Sequence, residues 1–330
     1  MTSIAIRGSG IAAKGCGHIL AGAGVRVAIE ERRRLSVPTI MLSDPALSLI
    51  RGVFDRPDLF ADQPRVKRRV VAWGGVPVML PHSAALASED EVQAALPSIL
   101  ASQAGPVDFT IHATPPMPLG DMHIFGERHA VAAKVQLRDP ACIEEARIEA
   151  VAAGWLYLVP AEPGLGWLLG VGGSMDRLLG QSALIAPVVD AVGATSTPFP
   201  AAPRLQLPLH ADDWLACGTA AAGFDPICGD GTAQSVREAI LAAAVVMAMA
   251  DGGDRAALLT HYQSMLIAAM RRHLLLCAQF YANGGQGDWW RAQHDALMAG
   301  HHMCTGLLAR LPEPRFLLDG FRLVPRQAAA

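Results

Sequence analysis

"CGTAAAGFDPICGDGTAQ", residues 217–234, packs small residues around a single Asp-Pro pair and runs straight into "SVREAILAAAVVMAMA". The strand-like "DDWLACG" (212–218) leads into it. Strand, small-residue loop and helix in that order predict a turn whose backbone a ligand can approach closely. The helix is expected to start near Gly231, and its N-terminus carries positive potential. A second glycine-rich turn elsewhere in the chain decides what such a loop would hold.

That turn lies in "SIAIRGSGIAAKGCGHILAGAGVRVAIEE" (3–31). Ser3 to Arg7 is β-rich and enters Gly8-Ser9-Gly10-Ile11-Ala12-Ala13, the G-x-G-x-x-A form of the dinucleotide fingerprint. A helix follows to about Ala23, Gly24 caps it, and Val25 to Ile29 forms a second buried strand ending at Glu30-Glu31. Gly8 permits the tight turn, Gly10 lets backbone approach a pyrophosphate, and Ala13 keeps the helix near the sheet. Free N–H groups at the helix start suit phosphate. Glu31 has the better spacing to accept hydrogen bonds from an adenosine ribose, with Glu30 as the fallback. The expected contacts are Gly8, Gly10, Ile11, Ala12, Ala13, Glu31 and Arg32. An acid here favours FAD or NAD over NADP, a preference that Arg32, Arg33 and Arg34 blur.

The fingerprint does not separate FAD from NAD; the late loop does. A flavin is long, so a second element must hold its ribityl chain and ring. The helix at 231–250 would stabilise negative charge on the reduced ring. Gly218, Thr219, Asp225, Pro226, Gly229, Asp230, Gly231 and Thr232 are expected at that end.

"WLACGTAAAGFDPICGDGTAQSVREAILAA" (214–243) resembles the second FAD motif of the para-hydroxybenzoate hydroxylase superfamily. It is most similar to the branch of flavin-dependent tryptophan halogenases and the flavoproteins that mature peptide-derived quinone cofactors. "GWLYLVP" (154–160), "VVAWGG" (70–75), "GPVDFTIHATPP" (105–116) and "GQGDWWRAQHDAL" (285–297) resemble further family segments in the same order. Two positions depart from the pattern: Thr219 replaces the acid of the Gly-Asp pair, and Pro115 stands where glycine is usual. Both weaken the expected grip on flavin, because a hydroxyl is a poorer acceptor than a carboxylate and proline lacks an N–H.

The resemblance implies an α/β protein: a Rossmann-like FAD-binding fold (a three-layer β-β-α sandwich) with an interleaved antiparallel substrate sheet and a helical C-terminus. Residues 1–126 and 211–255 are expected to form the FAD domain, 127–210 the substrate sheet and 256–330 the helical region. Local signals agree. "SDPALSLIRGVF" (43–54) reads as a helix, and "EDEVQAALPSILAS" (89–102) as another, with Ser88 and Glu91 as a capping box. The run from Arg255 to Ala282 is one long amphipathic helix.

The chemistry implied is FAD-dependent oxidation, with reduced flavin reacting with oxygen to a hydroperoxide. Monooxygenation of an aromatic small molecule, or of a tryptophan side chain in a partner peptide, is preferred. Reduced flavin would come from a separate reductase or from NAD(P)H binding without a second fingerprint. Halogenation is the alternative; it needs a lysine near "AWG", where Lys67 and Arg65 lie, and guanidinium cannot replace an amine nucleophile. A non-catalytic flavin-fold binding protein and an NAD dehydrogenase complete the set. Trp155 and Tyr157, with Trp73, Trp289 and Trp290, could wall a substrate pocket or anchor the core. Histidines 82, 112, 123, 129 and 210 are candidate bases or structural residues.

Composition excludes other classes. The net charge of -3 over 330 residues gives no footprint for nucleic acid. Six cysteines without a Cys-x-x-Cys pair read as buried thiols of a reduced, cytoplasmic chain. "HHMC" (301–304) lacks further ligands, so no metal is expected. The apolar run Ala239 to Ala250 is too short to span a bilayer.

Overall fold

A computed structural model describes residues 3–32, 36–97, 106–139 and 143–326. Arg33, Arg34, Cys142 and the end of the predicted 89–102 helix lie outside the described residues.

The first sheet is the one the fingerprint demands. Strand β1 (Ser3–Arg7) pairs in parallel with β2 (Arg26–Glu30) and with β6 (Phe109–His112). Strand β16 (Trp214–Ala216) joins β6, also in parallel, and β15 (His210–Ala211) closes the edge antiparallel. Ile4, Ile6, Ile111 and Leu215 are fully buried in these strands, as a parallel sheet covered on both faces requires. Helix α1 (Ile11–Gly22) crosses from β1 to β2, and α5 (Gly231–Ala250) packs beside it.

The second sheet has nine strands. Five come from the expected substrate region: β8 (His129–Leu137), β9 (Glu145–Val151), β10 (Gly154–Glu162), β11 (Leu165–Val171) and β12 (Val189–Thr195). The short β13 (Phe199–Pro200) adds to β8. Three come from well before residue 127: β3 (Ile40–Ser43), β4 (Arg65–Ala72) and β5 (Val78–Ala87). They join because β4 runs parallel to β9, with Arg68 opposite Glu145, a pairing that has no local sequence signature. A third sheet, β17 (Ala222–Gly223), β14 (Arg204–Leu207) and β7 (Asp121–Ile124), ties the late loop to the middle of the chain.

The predicted helices form with their caps. α2 (Asp44–Phe54) starts on Ser43, whose side chain accepts from Ala46 N–H. α3 (Glu89–Ala95) carries the Ser88–Glu91 capping box, and the short α4 is Met175–Leu179. α6 (Arg255–Gly284) and α7 (Asp288–Leu308) form an antiparallel pair. An unforeseen hairpin, β18 (Phe316–Asp319) and β19 (Arg322–Pro325), follows and touches α5.

At 20 residues, α5 is longer than the apolar run suggested, and it is long and apolar enough to cross a bilayer. It is instead the core helix: 67% of its most apolar window is buried, against α1, α2 and α6. Alanine and glycine make this close packing possible. A Cβ on Gly15 of α1 would lie 3.1 Å from the Cβ of Ala239 on α5. Gly15→Leu should therefore push the helices apart and cost about 1–3 kcal/mol. Gly22→Ala, where added carbon meets open space, should be neutral or stabilising by up to about 1 kcal/mol. Thermal unfolding of the two variants checks this.

Candidate functional site

Strands β1, β6 and β16 end side by side, at Arg7, His112 and Ala216. The chain leaving each is fastened to its neighbour: Gly8 N–H donates to Glu30 O at 2.9 Å, Ala113 N–H to Arg7 O at 2.8 Å, and Cys217 N–H to His112 O at 2.8 Å. This edge, at the carboxyl ends of a parallel sheet, is where open α/β folds bind ligands.

Two glycines let the turns nest. Gly8 has φ +147°, and a Cβ there would lie 2.9 Å from Thr114 Oγ1. Gly218 has φ +56°, and a Cβ there would lie 2.7 Å from Ala12 Cβ. The late loop and the fingerprint helix, two hundred residues apart in sequence, therefore touch. Thr219 Oγ1 donates to Ala113 O at 3.2 Å. A carboxylate cannot donate, so the hydroxyl at 219 serves a contact that the family's acid could not make.

Glu238, which the sequence reading passed over, fixes this loop from behind. It is the only carboxylate in α5, at the start of the helix's long apolar run, and its Oε2 accepts Gly218 N–H at 2.8 Å. Burial pushes Glu238 up to about 8, with the Gly218 N–H pulling the other way. Cys16, Cys217 and Tyr262 surround it, all fully buried.

The phosphate end of the fingerprint fits a dinucleotide. Helix α1 has no acidic residue in its first turn, and a Cβ on Gly10 would meet nothing within 4 Å. With its carboxamide oriented to suit both neighbours, Gln93 of α3 accepts Ile11 N–H at 3.2 Å and donates to Ser9 O at 2.7 Å. Lys14 bonds Gln93 O and Leu96 O, holding α3 over the turn. An anion must displace this neutral amide, and its charge favours the exchange. Glu30 and Glu31 are both exposed; Glu30 pairs with Arg7 at 2.8 Å and with Arg32 at 3.4 Å.

The second turn divides into an internal and an exposed half. Asp225 is fully buried. Its carboxylate accepts Ile227 N–H at 3.1 Å and Tyr281 O–H at 3.1 Å, and lies 3.0 Å from Arg128 Nε. The carboxylate therefore positions the loop from inside instead of facing outward. Gly229, Asp230 and Gly231 are exposed, Thr232 is partly so, and Asp230 pairs with Arg237 at 2.7 Å.

The aromatic residues sort in favour of the core. Trp155 is wholly buried, donates its indole N–H to the Tyr281 hydroxyl (Oη) at 3.0 Å, and meets Trp73 edge-on at 6.3 Å. Trp290 is 2% exposed and donates to Val151 O at 3.0 Å. Neither has a free face for a substrate, so of the two roles left open for Trp155 the structure favours the core anchor. Lys67 is 66% exposed and paired with Glu144, and Arg65 is paired with Asp44. Tyr157 is different. It sits under the Arg69 guanidinium at 5.8 Å, Arg69 lies 3.1 Å from His82 Nε2, and a Cβ on Gly229 would lie 3.9 Å from Arg69 Nη2. Arg69 thus reaches the exposed half of the late loop with His82 and Tyr157 beside it; the Tyr157 hydroxyl lies 3.4 Å from Met41 Sδ, and Arg69 Nε has no hydrogen-bond partner among the described residues. Burial and the Arg69 charge lower His82, leaving it a neutral base. His112 is lowered further, to about 4, by burial and then by Arg7 and Arg32. Among the other candidate histidines, His123 and His129 are exposed, and burial lowers His210. Cavities of about 440 Å³ beside Gly74 and Glu149 and about 310 Å³ beside His123 and Gly300 lie away from both glycine turns.

No protein-family model and no curated sequence matches the chain. Solved structures do. The chain is similar to the peptidyl tryptophan dihydroxylase QhpG, essential for tryptophylquinone cofactor biogenesis, with 20% identity, TM-score 0.71, and 88% of this chain and 78% of that one covered. It is similar to CmlS, a flavin-dependent halogenase, with 16% identity, TM-score 0.72 and coverage of 97% and 74%. A third match is the p-nitrophenol 4-monooxygenase PnpA from Pseudomonas putida DLL-E4, with 16% identity, TM-score 0.64 and coverage of 94% and 98%. At these identities the likeness establishes the fold, and it is the fold of flavin-dependent monooxygenases and halogenases.

The buried carboxyl has a pH signature. Between the ordinary carboxylate range and about pH 8, the folded chain keeps a proton on Glu238 that the unfolded chain releases. This group therefore makes stability fall as pH rises through that window. Glu238→Gln keeps an acceptor for Gly218 and cannot ionise. Relative to the native chain it should gain stability with rising pH, by on the order of 1 kcal/mol per unit up to about pH 8. Denaturant unfolding across that range measures the difference.

Proposed function

We propose that this chain is an FAD-dependent oxidoreductase, a monooxygenase of an aromatic substrate. The contact of Gly218 with Ala12 carries the reading, because it makes two distant glycine turns into one binding edge. The fold likeness to a tryptophan dihydroxylase and a nitrophenol monooxygenase supports it. A tryptophan side chain in a partner peptide is the preferred substrate, and a cytoplasmic setting with a separate reductase supplies reduced flavin.

In this reading Gly8, Gly10 and the first N–H groups of α1 bind the diphosphate, Glu31 and Arg32 flank the adenosine, and Gly218, Thr219 and the 225–232 turn hold the ribityl chain and ring. When bound, flavin supplies the redox chemistry with oxygen. The chain's own residues bind, orient and exclude water. Arg69 holds His82 and stacks on Tyr157, giving the part of the large sheet beside Gly229 a fixed cation and a neutral base. The exposed ion pair of Lys67 offers no support for halogenation.

A second reading has its own observation. Gln93 occupies the Ile11 N–H, and the hydroxyl of Thr219 is committed to Ala113. A flavin-fold protein that binds partners without catalysis would keep both contacts permanently.

Gly10→Val distinguishes the two. The backbone there is extended, and a Cβ meets open space, so the variant should melt within a few degrees of the native chain. FAD titration, followed by flavin fluorescence quenching, should give binding that the variant loses by at least about tenfold. A native chain that leaves FAD fluorescence unchanged would favour the non-catalytic reading.

A further inference from the structure

Behind the exposed half of the late loop, three metal-binding side chains meet that lie far apart in sequence. Cys228 comes from the single turn after Asp225-Pro226, while His273 and Cys277 stand four residues apart on one face of α6. The Sγ atoms of Cys228 and Cys277 are 3.6 Å apart, and Cys277 Sγ is 3.3 Å from His273 Nε2. All three donor atoms lie within 4.8 Å of one another.

These separations are the edges of a tetrahedral site. With metal–sulfur bonds of about 2.3 Å and metal–nitrogen bonds of about 2.0–2.1 Å, zinc sets sulfur pairs about 3.8 Å apart and sulfur–nitrogen pairs about 3.5 Å apart. Two thiols and an imidazole form a soft donor set that selects zinc over magnesium or calcium. Cys277 is buried, while Cys228 and His273 are half-buried, which leaves a path of entry.

We propose that Cys228, His273 and Cys277 bind one zinc ion, with the fourth position open to water or an exogenous ligand. Asp225 does not supply that ligand, because its carboxylate is committed to Arg128, Tyr281 and Ile227 N–H. Binding releases the two thiol protons and takes the Nε2 lone pair of His273, which otherwise accepts Asp225 N–H at 2.9 Å. Metal occupancy is thereby coupled to the Asp225-Pro226 turn. The "HHMC" run at 301–304 supplies none of these ligands; among the described residues the converging set is this one.

Cobalt(II) titration of the full-length, flavin-free, reduced chain tests the site without relying on the flavin reading. The expected result is one equivalent of Co²⁺ giving the visible d–d bands of a tetrahedral ion and thiolate-to-cobalt charge transfer, both lost on adding Zn²⁺. Cys277→Ala and His273→Ala should lose the bands and bind Zn²⁺ more than about tenfold more weakly. Cys304→Ala, whose thiol lies outside the cluster, should keep them. Circular dichroism of each variant confirms folding. Any of three results overturns the proposal: no tetrahedral spectrum from the folded native chain, bands that persist in folded Cys277→Ala, or a Cys228–Cys277 disulfide that re-forms after reduction and leaves no metal bound.

Discussion

Everything at the proposed binding edge depends on Gly218 coming to rest on Ala12. The contact is possible only because one residue has no side chain and the other only a methyl, with a left-handed backbone at Gly218. It joins α1 to the late loop, and Glu238 locks it through the Gly218 N–H. The same economy of side chains runs along the helix pair, where Gly15 faces Ala239. Small residues thus serve two ends at once, bringing α1 and α5 together and leaving backbone where a dinucleotide can approach.

Behind that edge lies a polar network that spans the molecule. Trp155 of β10 donates to Tyr281 of α6, and Tyr281 donates to Asp225 of the late loop. Arg128, fully buried, reaches Asp225, Gln293 and the carbonyl of Phe125, and lies 4.8 Å from the Tyr281 ring. A buried charge is tolerated only when its partners are in place, so this network fixes the late loop relative to both the large sheet and the helical pair. It also explains why Asp225, an expected cofactor contact, works from inside.

What the sequence revealed was what local chemistry determines. The fingerprint, the start of α5 at Gly231 and the capping box at Ser88 and Glu91 each need only a few adjacent residues. What it hid was long-range. Strands β3 to β5 enter the large sheet through the β4–β9 pairing, which leaves no mark in "RVKRRVVA". Arg128 sits in an unremarkable "GERHA", and its burial depends on Asp225 and Gln293, far along the chain. The sequence left Trp155 open to either role, with the core favoured; the positions of Tyr281 and Trp73 decide for the core. Arg69 reaches the late loop, with His82 beside it, for the same reason, through strand pairing that local patterns do not encode.

The central claim is that two turns grip one elongated cofactor. Amide hydrogen exchange with and without FAD tests it most directly. The account predicts slower exchange in peptides covering both 8–14 and 217–232, with the same dependence on FAD concentration. Protection of the first segment alone, or of neither, would contradict it.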